Sequence, residues 1–256
     1  MGAGNVATHL GLALKNKGHS IIQVFSRTTE SARSLSRQLD TGYITDLTEL
    51  NYSADIYLFC LTDDVLPHVL KKTSFSDQIV AHTSGSVPLS ILRESVFHSG
   101  VIYPVQTFNK DRQVDISEVP FCVEGSTPYA ENTLLDLASG LSGKVYSVNS
   151  EKRKIIHLAA VFACNFTNHM YTIADRLMRE HNLDFDIIKP LIQETSAKIL
   201  EMDPSNAQTG PAKRGDNQII EEHLQLLKDA PDIQKIYTFV SKSISEIAEL
   251  KNRTKT

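Results

Sequence analysis

The stretch MGAGNVATHL at residues 1–10 contains Gly2, Gly4 and Ala7 in the pattern G-x-G-x-x-A. In a strand–turn–helix unit the first glycine allows a tight turn, the second lets a phosphate approach the backbone, and the third small residue lets helix and strand pack closely. The residues that follow keep the apolar spacing of a helix. The stretch therefore predicts a loop that holds a pyrophosphate at a helix N-terminus. The residues expected to contact it are Gly2, Gly4, Asn5 and Val6.

A buried strand of about five or six residues normally precedes such a loop. Here only Met1 stands before Gly2. A parallel sheet that lacks this strand would expose apolar neighbours and unpaired backbone groups. We expect the natural chain to begin upstream of Met1; the alternative is that something else fills the slot.

Outward from this loop, strand-like and helix-like segments alternate through the first half of the chain. The runs SIIQVFS, ADIYLFCL and DQIVAHT read as strands, and amphipathic segments separate them. This order predicts an α/β fold, a Rossmann-like doubly wound parallel sheet over residues 1–150 whose first strand is truncated. Residues 151–256 lack strand signals and predict an all-α second domain for substrate binding and dimerisation.

Composition excludes several classes of protein. The 256 residues carry a net charge of −4 and no long basic run, so a nucleic-acid partner is not expected. No apolar stretch is long enough to span a bilayer, and no secretory segment is evident, so a membrane is not expected either. The three cysteines are widely spaced in apolar surroundings, which predicts free thiols, no metal site and a cytoplasmic location.

The end of the second strand predicts which dinucleotide binds. An NAD site usually has a carboxylate there, for the ribose 2′-hydroxyl. This sequence has Ser26, Arg27 and Thr28 instead. Because the planar guanidinium of arginine pairs well with a phosphate, these residues favour NADP. The alternative is that Arg27 is a solvated charge at the end of a strand.

Polar stretches follow three further strands: CLTDD, AHTSGS and YPVQTF. Ligands of open α/β sheets bind beyond the carboxyl ends of the strands. We expect Thr62, Ser84 and Gly85 to contact the cofactor, His82 to stand beside it, and Gln106 to face the substrate. Each stretch taken alone is also compatible with ordinary loop chemistry.

In the helical half, the run HLAAVFACNFTNHM carries polar residues on an otherwise apolar helix. His157 and Asn165 are eight residues apart and lie near one face, and Asn168 follows three residues later. Buried polar side chains need partners, which a substrate, a neighbouring helix or a second subunit could supply. The loop TGPAKRGD adds Arg214 as a candidate for a substrate carboxylate, or alternatively as part of a capped turn.

Five motifs in this order, GAGNVATHL, HTSGS, YPVQTF, HLAAVFACNFTNHM and TGPAKRGD, resemble one family of bacterial NADP oxidoreductases. Its members join a Rossmann-like domain to a helical domain of uncharacterised function. The wider superfamily includes 6-phosphogluconate dehydrogenase, pyrroline-5-carboxylate reductase, ketopantoate reductase and deazaflavin-dependent NADP oxidoreductases. The resemblance implies this fold, a nicotinamide dinucleotide and, as is frequent in the superfamily, a homodimer.

Several superfamily dehydrogenases carry a lysine four residues before the asparagine that matches Asn165, but here that position is Val161. A lysine-assisted mechanism therefore does not carry over. We expect His157 to relay the proton, because imidazole titrates near neutral pH, with Asn165 orienting the substrate and His82 as a second candidate. The expected function is NADPH-dependent reduction of a small carbonyl or imine compound. The alternative is an NADP-binding sensor without turnover.

Overall fold

The computed structural model describes residues 1–253, and its contacts divide the chain into two compact units, Met1–Phe166 and Thr167–Thr256. The strands all belong to the first unit: β1 (Gln23–Phe25), β2 (Gly42–Ile44), β3 (Ile56–Phe59), β4 (Ile79–His82), β5 (Ser99–Pro104), β6 (Phe121–Gly125) and β7 (Val145–Ser147). Its helices are α1 (Asn5–Asn16), α2 (Thr29–Leu39), α3 (Leu66–Leu70), α4 (Ser90–Arg93), α5 (Pro128–Leu141) and α6 (Ser150–Ala160), the last followed by a π turn at Val161–Phe166.

The strands form a parallel pair, β1–β2, and a five-stranded sheet in the order β3-β4-β5-β6-β7. All neighbouring strands are parallel except β5 and β6, which are antiparallel with Gly100 opposite Gly125. The prediction of a doubly wound α/β unit is confirmed, and the differences are this antiparallel pair and the separation of β1–β2 from the other strands. Between Pro104 and Phe121 the chain forms no long helix and contains only a short 3₁₀ turn, Ile116–Glu118. Because no helix crosses over the sheet here, β6 returns beside β5 in the opposite direction.

Met1 and Gly2 lie between the two sheets and hydrogen-bond to both. The Met1 ammonium donates to Leu58 O at 2.9 Å, and the Cys60 N–H donates to Met1 O at 2.8 Å. On the other side, Gly2 N–H donates to Phe25 O at 2.8 Å. These two residues therefore have the position and the pairing of the strand that the glycine pattern requires.

A cavity of about 300 Å³ continues from Met1 between β1 and β3. Its lining is largely apolar and includes Leu10, Val24 and Leu58. Burial lowers the pKa of the Met1 ammonium from its ordinary value of 8.0, because the charged form loses its water.

Apolar side chains fill both faces of the five-stranded sheet. One core cluster includes Leu10, Ile102 and Leu134, and another includes Phe59 and Val80, all at most 1% exposed. The continuous burial of β4 and most of β5 matches strands that helices cover on both faces. This packing fixes the carboxyl ends of β3, β4 and β5, where the predicted site residues stand.

The second unit consists of helices: α7 (Thr167–Glu180), α8 (Lys189–Glu201), α9 (Pro204–Ala207), α10 (Pro211–Arg214), α11 (Asn217–Leu226) and α12 (Pro231–Arg253). Pro190 stands in the first turn of α8, where its missing N–H costs nothing. The short α10 packs on α12, where Ser245 Oγ donates to Ala212 O at 2.9 Å. Across the described residues of the chain, no helix is both long and apolar enough to cross a membrane.

Candidate functional site

The glycine loop has the shape of an anion cradle. Gly2 has φ +98°, and a Cβ there would lie 2.3 Å from Cys60 O, so only glycine fits. A Cβ at Gly4 would meet nothing within 4 Å, which leaves that side of the loop open to a ligand. Gly4 also serves as N-cap of α1 without a side-chain hydrogen bond, and the first turn, with Asn5 and Val6, contains no acidic residue. The free N–H groups and the helix dipole therefore suit a pyrophosphate.

The predicted 2′-phosphate residues follow β1. Ser26 continues the pairing of β1, with its N–H donating to Ile44 O at 3.3 Å, and Thr28 is the N-cap of α2. Arg27 lies exposed between them. The pKa of Asp64 is lowered, mainly by the hydrogen bond from Thr62 and also by the charge of Arg27. An exposed guanidinium at this strand end fits a phosphate group.

His82 ends β4 inside the sheet and is 1% exposed. Its Nδ1 accepts a hydrogen bond from the Ser84 N–H at 3.2 Å, so the ring is neutral with the hydrogen on Nε2. Burial, and then the charge of Arg153, lowers the pKa of His82 from 6.5 to about 4. This environment favours a structural role in the turn after β4 over contact with a substrate.

The loop after β4 is organised by its serines. Ser84 Oγ accepts hydrogen bonds from the N–H groups of Ser86 at 3.2 Å and Val87 at 3.1 Å. Ser86 Oγ donates to a carboxylate oxygen of Asp63, which joins this loop to the one after β3. The predicted cofactor residues Thr62, Ser84 and Gly85 thus belong to two loops that are tied together at the same edge of the sheet.

His157 and Tyr103 meet above Gly85. The Tyr103 hydroxyl lies 3.2 Å from His157 Nδ1, and the two rings are in edge-to-face contact at 5.9 Å. A Cβ at Gly85 would lie 2.7 Å from His157 Nδ1 and 2.8 Å from the Tyr103 ring, so glycine permits this close approach. Burial raises the pKa of Tyr103, which keeps the phenol protonated at neutral pH. The structure thus brings the predicted proton relay into contact with the predicted cofactor loop.

A buried ion pair lies one helical turn before His157. Arg153 is fully buried and pairs with the Glu124 carboxylate on β6. Its guanidinium also donates to Val87 O at 2.6 Å and to Ser150 Oγ at 3.2 Å. Arg153 therefore ties α6 to β6 and to the loop that carries Gly85. Sequence reasoning missed it, because in the run EKRK it looks like one more surface charge.

The remaining predicted residues are exposed. Asn165 lies in the π turn that follows α6. Gln106 accepts a hydrogen bond from the Thr107 N–H at 2.9 Å. Asn168 in α7 and Arg214 in α10 belong to the second unit, where Arg214 lies 4.0 Å from Asp216. Asp216 caps α11 as the alternative interpretation of that loop predicted.

Two sequence families match the chain. Residues 1–84 match the family described as NADP oxidoreductase, coenzyme F420-dependent, and residues 119–244 match a domain of unknown function (DUF2520). A solved Bacteroides fragilis protein, described as a putative NADP oxidoreductase, is 46% identical over 96% of both chains, with a TM-score of 0.90. The chain belongs to this family of NADP oxidoreductases, and its cofactor is NADP.

More distant structures share the fold. A reductive aminase from Aspergillus terreus, solved with NADPH and ethyl levulinate, is 14% identical with a TM-score of 0.74 over 98% of this chain and 96% of its own. A Streptomyces aurantiacus imine reductase is 13% identical with a TM-score of 0.66 over 98% and 97%. No curated protein matches the sequence.

Proposed function

We propose that this protein reduces a small imine or carbonyl compound with NADPH, and that His157 supplies the proton. The observation that carries the proposal is the contact of His157 with Tyr103 above Gly85, at the carboxyl edge of the cofactor-binding sheet. The distant likeness to an imine reductase and a reductive aminase is an analogy of fold that fits this chemistry.

NADPH supplies the hydride to the carbon of the C=N or C=O bond when it is bound. The chain's part is to hold a proton for the nitrogen or oxygen. In its protonated form His157 donates Nδ1–H to the Tyr103 oxygen and presents Nε2–H to the substrate. Loss of the Nε2 proton leaves a neutral imidazole in the same orientation. Because the raised pKa of Tyr103 keeps the phenol intact, Tyr103 orients the ring and does not itself lose a proton.

We propose that the cofactor is held at three positions. The glycine loop, with Gly2 and Gly4, binds the pyrophosphate, and Arg27 with its neighbours binds the 2′-phosphate. Ser84 and Gly85 border the nicotinamide. Arg27→Glu should therefore weaken NADPH binding strongly and leave NADH binding nearly unchanged, as measured by calorimetry.

The decisive experiment measures NADPH oxidation over a panel of cyclic imines, oxo acids and aldehydes. With an active compound, His157→Ala should lower kcat at least about tenfold while the Kd for NADPH stays nearly constant. Tyr103→Phe is the matched variant, because it removes the oxygen that accepts the hydrogen bond from His157 Nδ1–H and retains the aromatic ring. An equal loss of turnover and NADPH affinity in His157→Ala would contradict its catalytic role. Binding of NADPH without turnover across the panel would support the sensor alternative.

We also propose that the protein forms a homodimer in the cytoplasm. Along α12, Phe239 is 76% and Ile247 57% exposed, which is unusual for large apolar side chains on one helix. Ile244 of the same helix is half-buried. The described free thiols fit a reducing compartment. Phe239→Glu should convert a dimer mass into a monomer mass in light scattering, and a native monomer at high concentration would contradict the proposal.

A further inference from the structure

The loop after β5 places one lysine against the glycine loop. Lys110 Nζ donates to the carbonyl oxygen of Ala3 at 2.8 Å. Ala3 lies between Gly2 and Gly4, so this ammonium stands directly beside the residues that open α1. The contact joins parts of the chain that are 107 residues apart, and it is therefore a product of the fold.

Two contacts to α1 fix the segment that carries Lys110. The His9 ring stacks on Phe108 at a centroid distance of 4.8 Å, and Phe108 is buried. His9 Nε2 lies 2.9 Å from Asn109 O and must donate, because a carbonyl only accepts. The backbone on the N-terminal side of Lys110 is thus held against α1, which limits where the ammonium can reach.

This ammonium stands where an anion is favoured. A helix N-terminus carries a partial positive charge, and the exposed lysine beside it adds a second positive group that attracts an anion. The first turn of α1 contains no acidic residue and Gly4 offers no capping side chain. An ammonium has three N–H donors, of which Ala3 O takes one. The other two remain for oxygen atoms of a ligand at the loop.

We infer that Lys110 is a pyrophosphate-binding residue: it holds the glycine loop through Ala3 O and directs its remaining donors at the dinucleotide. The inference rests on the cofactor site of the proposed function. It differs from the role of Arg27, because the pyrophosphate is common to NADPH and NADH, whereas only NADPH has the 2′-phosphate. Loss of Lys110 must therefore weaken both nucleotides by the same factor.

The test is calorimetric titration of the full chain with NADPH, NADH and inorganic pyrophosphate, without substrate. Lys110→Met should weaken both nucleotides about tenfold, as expected for one charge-assisted hydrogen bond, and pyrophosphate binding should fall in parallel. Lys110→Arg should recover part of the affinity. Lys15→Met is the matched control, because Lys15 Nζ also donates to a carbonyl, Gln38 O at 3.3 Å, but at the other end of α1. Its nucleotide affinities should equal those of the native chain.

Equal affinities in the native chain and Lys110→Met would overturn the inference. So would a loss confined to NADPH, which would assign Lys110 to the 2′-phosphate. If Lys110→Met unfolds, Lys110→Gln replaces it, since its amide retains a donor for Ala3 O without the charge. These binding measurements are independent of turnover, so an inactive His157→Ala or a failed substrate panel leaves them unaffected.

Discussion

The two units of the molecule bury their apolar side chains to very different extents. In the first unit Leu134, Val80 and Ile102 have no exposed surface. In the described part of the second unit the buried apolar residues are Ala212, Leu227 and Ile233, while its exposed ones reach 86% at Leu200. The first unit is stabilised by its own core. The second depends more on local helix interactions and offers apolar surface for contact.

Their ion pairs differ in the same way. Arg153 of the first unit is fully buried on a carboxylate, Glu124, that is only 17% exposed. Arg176 of the second unit pairs with Glu180 at 2.8 Å, but both side chains are about half exposed, 50% and 46%. Water already solvates the surface pair, whereas breaking the buried pair leaves a carboxylate in the protein interior. The comparison predicts that similar substitutions will have unlike effects in the two units.

The largest effect is expected from Arg153→Met. It leaves Glu124 without its buried partner and should lower the free energy of unfolding by about 3–5 kcal/mol. The control, Arg176→Met, removes an arginine from the solvated pair and should leave stability nearly unchanged. Urea unfolding followed by circular dichroism measures both. Equal losses in the two variants would remove the distinction between the units.

A slightly smaller effect is expected from truncating a core leucine. Leu134 is packed against Gly100, where a Cβ would lie 2.2 Å from Leu134 Cδ1. Leu134→Ala should cost about 2–5 kcal/mol through lost burial and the cavity left behind. Leu200→Ala, at the exposed position of α8, should change stability by about half a kcal/mol or less. A comparable loss for Leu200→Ala would mean that a partner covers this position in solution.

Acidification should destabilise the first unit through His82. Its pKa is about 4 in the folded chain and 6.5 ordinarily, so the unfolded chain binds a proton between these values and the folded chain does not. Stability is therefore fully present above pH 6.5 and is lost as the pH falls toward 4, by about 3 kcal/mol in all. The amide oxygen of His82→Asn can accept the hydrogen bond from the Ser84 N–H. This variant should therefore show little change of stability between pH 6.5 and pH 4. If stability depended on pH in the same way in His82→Asn and the native chain, the burial of a neutral His82 ring would be contradicted.

The fold was predictable where pattern and burial coincide. The apolar run that became β4 is buried throughout and the run that became β3 at alternate residues, and the G-x-G-x-x-A loop leads into α1 as the sequence indicates. The antiparallel β6 was missed, because the run VPFCVEG has the same periodicity in either direction. Likewise, the pairing of Met1 and Gly2 with both sheets leaves no signal in a sequence.

The candidate site was predictable only in part. His157 was found because a histidine interrupts an apolar helix, whereas Tyr103 stands in the run YPVQTF, where only Gln106 was given a role. The contact between them depends on Gly85 and on the packing of α6 against the loop after β4, which no local pattern encodes. Arg153 and Lys110 were missed for the same reason: each lies in a charged segment, and only the fold turns its side chain to a specific carbonyl.

The smallest expected loss of stability comes from removing a helix cap, and it should be the same in both units. Asn149 caps α6, its Oδ1 accepting from Lys152 N–H at 3.0 Å, and Asp216 caps α11 by a bond to Ile219 N–H at 3.5 Å. A cap acts on the first turn of its own helix, so its contribution does not depend on the core behind it. Asn149→Ala and Asp216→Ala should each cost about 1 kcal/mol in urea unfolding. A much larger loss for Asn149→Ala would show that this cap, four residues before the buried arginine, is coupled to the ion pair and does not act independently.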